Sequence, residues 1–176
     1  VQKLKRGVRF YVNADSIANI KKGVYQSMAL SNVLAVLPGK KTDEYVVVGA
    51  HLDHEGVYND VAGDKIYNGA DDNASGVAAV LQIMKGFVES GVQPERTVVF
   101  AFWDGEEFGL LGSQYFTDHF AEMSKVKGYL NFDMVGSGTS SKYLMYFFTA
   151  AHPKLGEWLK NDVNKYQFCT FEPDYR

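Results

Sequence analysis

Short runs of β-branched and aromatic residues alternate along this chain with stretches of helical periodicity, and that alternation points to an α/β sheet. The main runs are Asn32 to Leu37, Tyr45 to Ala50, Thr97 to Trp103, Tyr129 to Asp133 and Tyr143 to Ala150. The first two flank the turn-rich stretch Pro38 to Asp43 and read as an antiparallel hairpin. Val8, Phe10 and Val12 alternate with Arg9 and Tyr11, which predicts an edge strand near the start. Val77, Val80, Leu81, Met84 and Val88 recur at helical spacing, with Asn73 or Ser75 as N-cap and Gly91 and Pro94 closing the helix. A second helix places Phe108, Leu111, Tyr115 and Phe116 on one face. A third opens at Pro153 with Leu155, Trp158, Leu159 and Val163 inward. The expected architecture is a mixed, mostly parallel sheet flanked by helices.

Composition narrows the function classes. The chain has 176 residues, 46% apolar and 22% charged, which suits one soluble domain with a sizeable core. No apolar run approaches the roughly 20 residues that a membrane-spanning helix needs. A net charge of −3 and no dense Lys/Arg block disfavour nucleic acid and anionic membrane surfaces as partners. Cys169 is the one cysteine, so no disulfide forms within the chain. The chain begins at Val1 without a signal pattern and its tail from Phe168 to Arg176 starts an unfinished element, so it is expected to be incomplete at both ends.

Three of the apolar runs finish in residue types that hold metals. The second leads into His51 and Asp53, the third into Asp104, Glu106 and Glu107, and the fourth into Asp133. Ligands of open α/β sheets bind beyond the carboxyl ends of the strands, so side chains distant in sequence can converge there. Asp71 and Asp72 join them from the small-residue loop Asn68 to Gly76. Imidazole mixed with carboxylates suits Zn²⁺ better than Mg²⁺ or Ca²⁺. Two such ions need an anion between them, and one of the loop aspartates is the expected bridge. Asp53, two residues past His51, is of the type that orients a ligating imidazole. Glu106 and Glu107 are neighbours whose side chains diverge, so one is expected to bind metal and the other to handle protons.

Each feature alone has a plainer reading. Acidic pairs often start helices, where they complement the dipole. His54 reads as a neighbour of the site or as merely exposed, and not as a ligand. His119 reads as a boundary histidine on an apolar helix face, and His152 as structural. Asp60 and Asp64 lack the spacing of an EF-hand and read as a solvated turn. Trp103 and the aromatic stripe from Tyr143 to Phe148 read as core.

Together, however, the motifs resemble the M28 metallopeptidases over roughly positions 31 to 136. Asn32 to Gly39 is similar to that family's opening hairpin, and His51, Leu52, Asp53, His54 to its first metal motif. Asn68 to Gly76 resembles the second. Trp103 to Ser113 resembles the third, and Asn131 to Gly136 the fourth. The resemblance implies a zinc exopeptidase fold and two Zn²⁺, with His51 and Asp133 on one ion, Glu107 on the other and Asp72 between them. It implies Glu106 as general base, Asp53 beside it in the catalytic machinery, and often a cis peptide after the bridging aspartate. The implied activity is release of N-terminal amino acids from peptide substrates, with a location in the periplasm or outside the cell.

The family also takes a second-site histidine from well downstream, after a Ser-Asp-His segment, and neither occurs in these 176 residues. With these residues alone, tight metal binding is expected only at His51, Asp72 and Asp133. Two other functions fit the same resemblance: a single-zinc glutaminyl cyclase and a catalytically silent receptor-like binding domain. Retention of both His51 and Asp133 speaks for two metals.

Overall fold

Seven consecutive buried residues, Thr97 to Trp103, dictate the middle of the sheet, because a strand apolar on both faces must be covered on both. The computed structural model describes residues 2–4, 29–59, 62–136 and 153–165. Its strands are β1 (Gln2–Leu4), β2 (Leu30–Leu37), β3 (Lys41–His51), β4 (Gly56–Val57), β5 (Ile66–Tyr67), β6 (Arg96–Trp103) and β7 (Val126–Asn131). Its helices are α1 (Gly76–Ser90), α2 (Leu111–His119) and α3 (Pro153–Lys165). Two units are distinguished, Val1–Asp133 and Met134–Arg176. The strands, α1 and α2 belong to the first and α3 to the second.

The main sheet has the order β1-β2-β6-β3-β7. β6 runs parallel to β3, β3 parallel to β7, β2 antiparallel to β6 and β1 antiparallel to β2. Only β2 therefore opposes the common direction, and the sheet is mixed with mostly parallel strands. The hairpin expected between β2 and β3 does not form, because β6 lies between them. Val33 to Leu37 pair with Phe102 to Val98 on one side of β6, and Val46 to His51 pair with Val98 to Trp103 on the other. The turn-rich connection instead spans one whole strand position, roughly 10 Å. It is tied across the start of β6 by the Lys40 and Lys41 amides, which donate to the carbonyls of Pro94 and Glu95 at 3.0 and 2.8 Å. At Gly39 a Cβ would meet the Arg96 carbonyl carbon at 2.2 Å, so only glycine allows the crossing.

Strand alternation divides the core between the two faces. Val48, Ala50, Val98, Phe100 and Phe102 face α1, whose Val77, Val80, Ile83, Met84 and Phe87 cover them. Val47, Val99, Ala101 and Trp103 face Phe116 of α2, with Phe120 and Met123 beyond. Two expected stripes are corrected. On α1, Leu81 and Val88 point outward, each one residue past the buried position 80 and the half-buried position 87 and thus about 100° around the helix. Phe108 precedes α2 and is exposed, because Gly109 and Leu110 take positive φ before the helix begins. Replacing Val80, which is fully buried, by alanine is expected to destabilise the fold by about 2 kcal/mol. Val88→Ala, at a position 77% exposed, is expected to stay within about 0.5 kcal/mol. Urea midpoints of the two variants check this.

In the second unit α3 starts at Pro153 as the sequence predicts. Leu155 and Trp158 are exposed rather than inward, while Gly156 is buried and Leu159 and Lys160 are half-buried, so the covered face is rotated from the expected stripe. The side chain of Val163, the predicted strand over 8–12, the run from Tyr143 to Ala150, and His152 lie outside the described residues. Among the described residues no helix is long and apolar enough to cross a membrane.

Candidate metal centre

The parallel strands β3, β6 and β7 end on the same side of the sheet, and their exits build the centre. His51 is the last residue of β3, opposite Trp103 in β6, and its side chain is 2% exposed. Its Nδ1–H donates to the Asp53 carbonyl at 3.1 Å, which leaves Nε2 as the ring's free donor atom. Nε2 lies 2.9 Å from Asp72 Oδ1 and 3.5 Å from Asp133 Oδ1. The orienting contact to His51 thus runs through the main chain of Asp53, whose carboxylate Oδ1 stands off at 3.7 Å. That carboxylate accepts instead from the Glu106 and Glu107 amides at 3.0 and 3.3 Å, pinning the exit of β6 to the exit of β3.

The loop before α1 delivers the aspartates. It forms an irregular turn over Ala70–Ser75, with non-helical dihedrals at Asp72 and Asn73 and a cis peptide between them, the bond for which the motif implies that geometry. Asp72 faces His51, whereas Asp71 Oδ1 lies 3.2 Å from its own loop's Ser75 Oγ. Asn73 is buried and works in two directions. Its Oδ1 accepts from the Gly76 amide at 3.0 Å, capping α1, and its Nδ2 donates to the Phe132 carbonyl at 2.9 Å. The capping contact at Gly76 therefore comes from Asn73, and Ser75 makes no side-chain cap. The second contact ties the loop carrying Asp72 to the residue before Asp133. β7 ends at Asn131, and the Phe132 amide still donates to the Gly49 carbonyl at 2.8 Å, so Asp133 leaves the sheet at a fixed point.

These side chains form three overlapping groups whose donor atoms lie within 4.8 Å of one another: His51, Asp72 and Asp133; His54, Asp72 and Glu107; and His51, Glu106 and Glu107. Asp72 belongs to the first two. Imidazole with carboxylates is a donor set that fits zinc. The crowding of carboxylates is compatible with a bound cation. Burial by itself lowers the pKa of His51, yet Asp133, the Asp53 carbonyl, Glu106 and Asp72 outweigh it and raise the imidazole above its ordinary range. Glu106 is raised by burial first, against the pull of His51, and further by Glu107, Asp133 and Asp53.

Other acidic and aromatic candidates have structural work. Asp104 turns away to β2, where its carboxylate accepts from the Ser31 amide at 2.6 Å, and it joins none of the groups found among the described residues. Asp64 Oδ1 accepts from the Ile66 amide at 3.0 Å in a solvated turn, and Asp60 lies outside the described residues. Trp103 is core, and its Nε1–H donates to the Tyr129 hydroxyl at 2.7 Å. That hydroxyl donates on to Asn131 Oδ1 at 2.7 Å, and burial pushes the phenol up to about 12 against the opposing effect of the Trp103 bond. His119 is exposed, not at a core boundary; it stacks on Tyr115 at 3.9 Å and donates to the Tyr115 carbonyl at the end of α2. The residues that sequence reasoning undervalued are Asn73, whose contact with Phe132 spans 59 positions, and His54, which meets Glu107 across 53. For His54 the His-x-x-His spacing from His51 was the available signal.

Comparison with known proteins identifies the family. Residues 32–175 match the model described as peptidase family M28. The chain is 35% identical to leupeptin-inactivating enzyme 1 of Streptomyces exfoliatus over 134 residues, covering 74% of this chain and 27% of that protein. It is 36% identical to leucine aminopeptidase 2 of Trichophyton equinum over 116 residues, covering 65% of this chain and 21% of that protein. The crystal structure of the Legionella pneumophila LapA aminopeptidase superposes with a TM-score of 0.67 at 26% identity, over 82% of this chain and 38% of that one. The chain thus spans about a quarter of the length of these curated relatives. With the family's model matched from Asn32 in β2 onward and the motif residues drawn together at the strand ends, the chain belongs to peptidase family M28.

Proposed function

We propose that the protein is a metallo-aminopeptidase that releases N-terminal amino acids from peptides with two zinc ions sharing Asp72. The observation that supports this most is the membership of Asp72 in two donor groups, one with His51 and Asp133 and one with His54 and Glu107. Two cations about 3.5 to 4 Å apart repel each other, and a carboxylate between them offsets that repulsion. When bound, zinc supplies Lewis-acid polarisation of the scissile carbonyl and lowers the pKa of water from about 15.7 to about 7.

The chain's own residues do the rest. The Asp53 carbonyl fixes the imidazole of His51 in the tautomer that presents Nε2. The Asp53 carboxylate fixes the backbone of Glu106 and Glu107, so both side chains project from one held turn. Glu106 accepts a proton from the attacking water at its carboxylate and returns it to the departing amine. The free α-ammonium of the substrate is a natural partner for the Glu106 and Asp133 carboxylates. The relatives' names, leucine aminopeptidase and leupeptin-inactivating enzyme, support a peptide substrate.

Release of p-nitroaniline from leucine p-nitroanilide by the full-length protein tests the reading. Activity that a chelator abolishes and zinc restores is the expected result. No release with zinc supplied, or cyclisation of Gln-peptides in its place, sinks it.

A further inference from the structure

We infer that His54 is a positioning residue for the second cation, fixing the carboxylate of Glu107 through an Nδ1–H donated to Oε1. The inference rests on the two-metal reading above and adds a residue to it.

The contact measures 2.8 Å. A carboxylate oxygen only accepts, so the imidazole is the donor, and a donor to an ionised acceptor makes the stronger kind of hydrogen bond. The side chains of His54 and Glu107 are 22% and 16% exposed, which separates this pair from the solvent-loosened ion pairs of a protein surface. The ring itself is held in place. Gly69 sits at φ 64°, and a Cβ there would come within 2.9 Å of His54 Cγ, so the loop backbone packs directly against the imidazole. The Tyr67 ring lies on a further side, at a centroid distance of 6.4 Å.

The segment leaving β3 therefore holds Glu107 twice. Asp53 takes its amide at 3.3 Å, and His54 takes its carboxylate. With the backbone fixed, side-chain rotation is the freedom that remains to Glu107, and the His54 contact removes it while leaving the second oxygen open. One stretch of four residues thus serves both ion positions, through His51 toward Asp72 and Asp133 and through His54 toward Glu107. Partners of metal ligands that act in this way change metal affinity by about 10- to 100-fold when removed.

Zinc titration of the metal-free full-length protein, in competition with a chromophoric chelator, tests the inference with three variants. His54→Phe keeps the bulk against Gly69 and lacks the N–H, while His54→Asn returns an amide N–H close to the Nδ1 position. In His54→Phe one binding step is expected to weaken by about 10- to 100-fold with the other unchanged. In His54→Asn both steps are expected within about threefold of wild type, with the melting temperature of the metal-free protein unchanged. Should the phenylalanine variant fail to fold, His54→Ala removes the donor without strain and is read the same way. Wild-type uptake in His54→Phe overturns the inference alone. So does an asparagine variant as weak as the phenylalanine one, which makes the imidazole itself the ligand. A wild-type protein that takes up no zinc overturns the two-metal reading together with the inference.

Discussion

Glu106→Gln is expected to lower kcat by roughly 10²- to 10⁴-fold while the zinc content stays at the wild-type level. Glutamine keeps the size and the hydrogen-bonding reach of the side chain, and the Glu106 amide remains bound to Asp53, so the turn that carries residue 107 is undisturbed. What disappears is the one function the amide cannot perform, accepting a proton. The two neighbouring glutamates share one donor group with His51 but differ in their relation to Asp72. Glu107 joins His54 and Asp72 in one donor group, whereas Glu106 belongs to neither of the groups that contain Asp72. Turnover of leucine p-nitroanilide measured beside zinc per chain by atomic emission decides the matter. A loss of activity below about tenfold at full zinc occupancy removes Glu106 from the role of base.

The second large effect is expected at Asp72. Asp72→Asn retains the shape of the side chain and its place after Ala70 and Asp71, but takes away the negative charge common to both donor groups. Neighbouring cations then lack the anion that offsets their repulsion. Zinc retained after dialysis is expected to fall at both positions, and kcat/KM by roughly 10³-fold, equivalent to about 4 kcal/mol of charge stabilisation. This differs in kind from the His54 variants, where one binding step weakens and the other does not. If Asp72→Asn held its metals as the wild type does, the shared carboxylate would have no part in the centre and the proposed chemistry would lose its basis.

Much of the site was legible because its residues sit where local patterns end. Apolar runs show where β3 and β6 stop, and the strand-end rule for α/β sheets then gathers His51, Glu106 and Glu107, with Asp133 following β7. The loop aspartate stood out by its small neighbours. What the patterns could not carry was strand order. The run from Asn32 to Leu37 and the run from Tyr45 to Ala50 look like hairpin partners from their spacing, and only burial of Thr97 to Trp103 on both faces shows why a third strand must separate them. Helix faces were read to within one residue, which sufficed for Val77, Val80 and Met84 and failed for Leu81 and Val88. Contacts such as Asn73 with Phe132, His54 with Glu107, and Asp53 with the two glutamate amides join segments more than 50 positions apart, and periodicity holds no information at that range.

The place of β6 between two strands made earlier in synthesis bears on how the molecule acquires its shape. During translation β2 and β3 emerge together with no route to pair with each other in the final sheet, so each waits with an open edge until residues 96–103 leave the ribosome. Ladders closed over such separations form slowly, because loop entropy is lost before the contacts return anything. Open apolar edges invite pairing with other chains in the meantime. Fragments ending before residue 103 are therefore expected to aggregate, and the nascent chain to be a natural client of chaperones that shield strand edges.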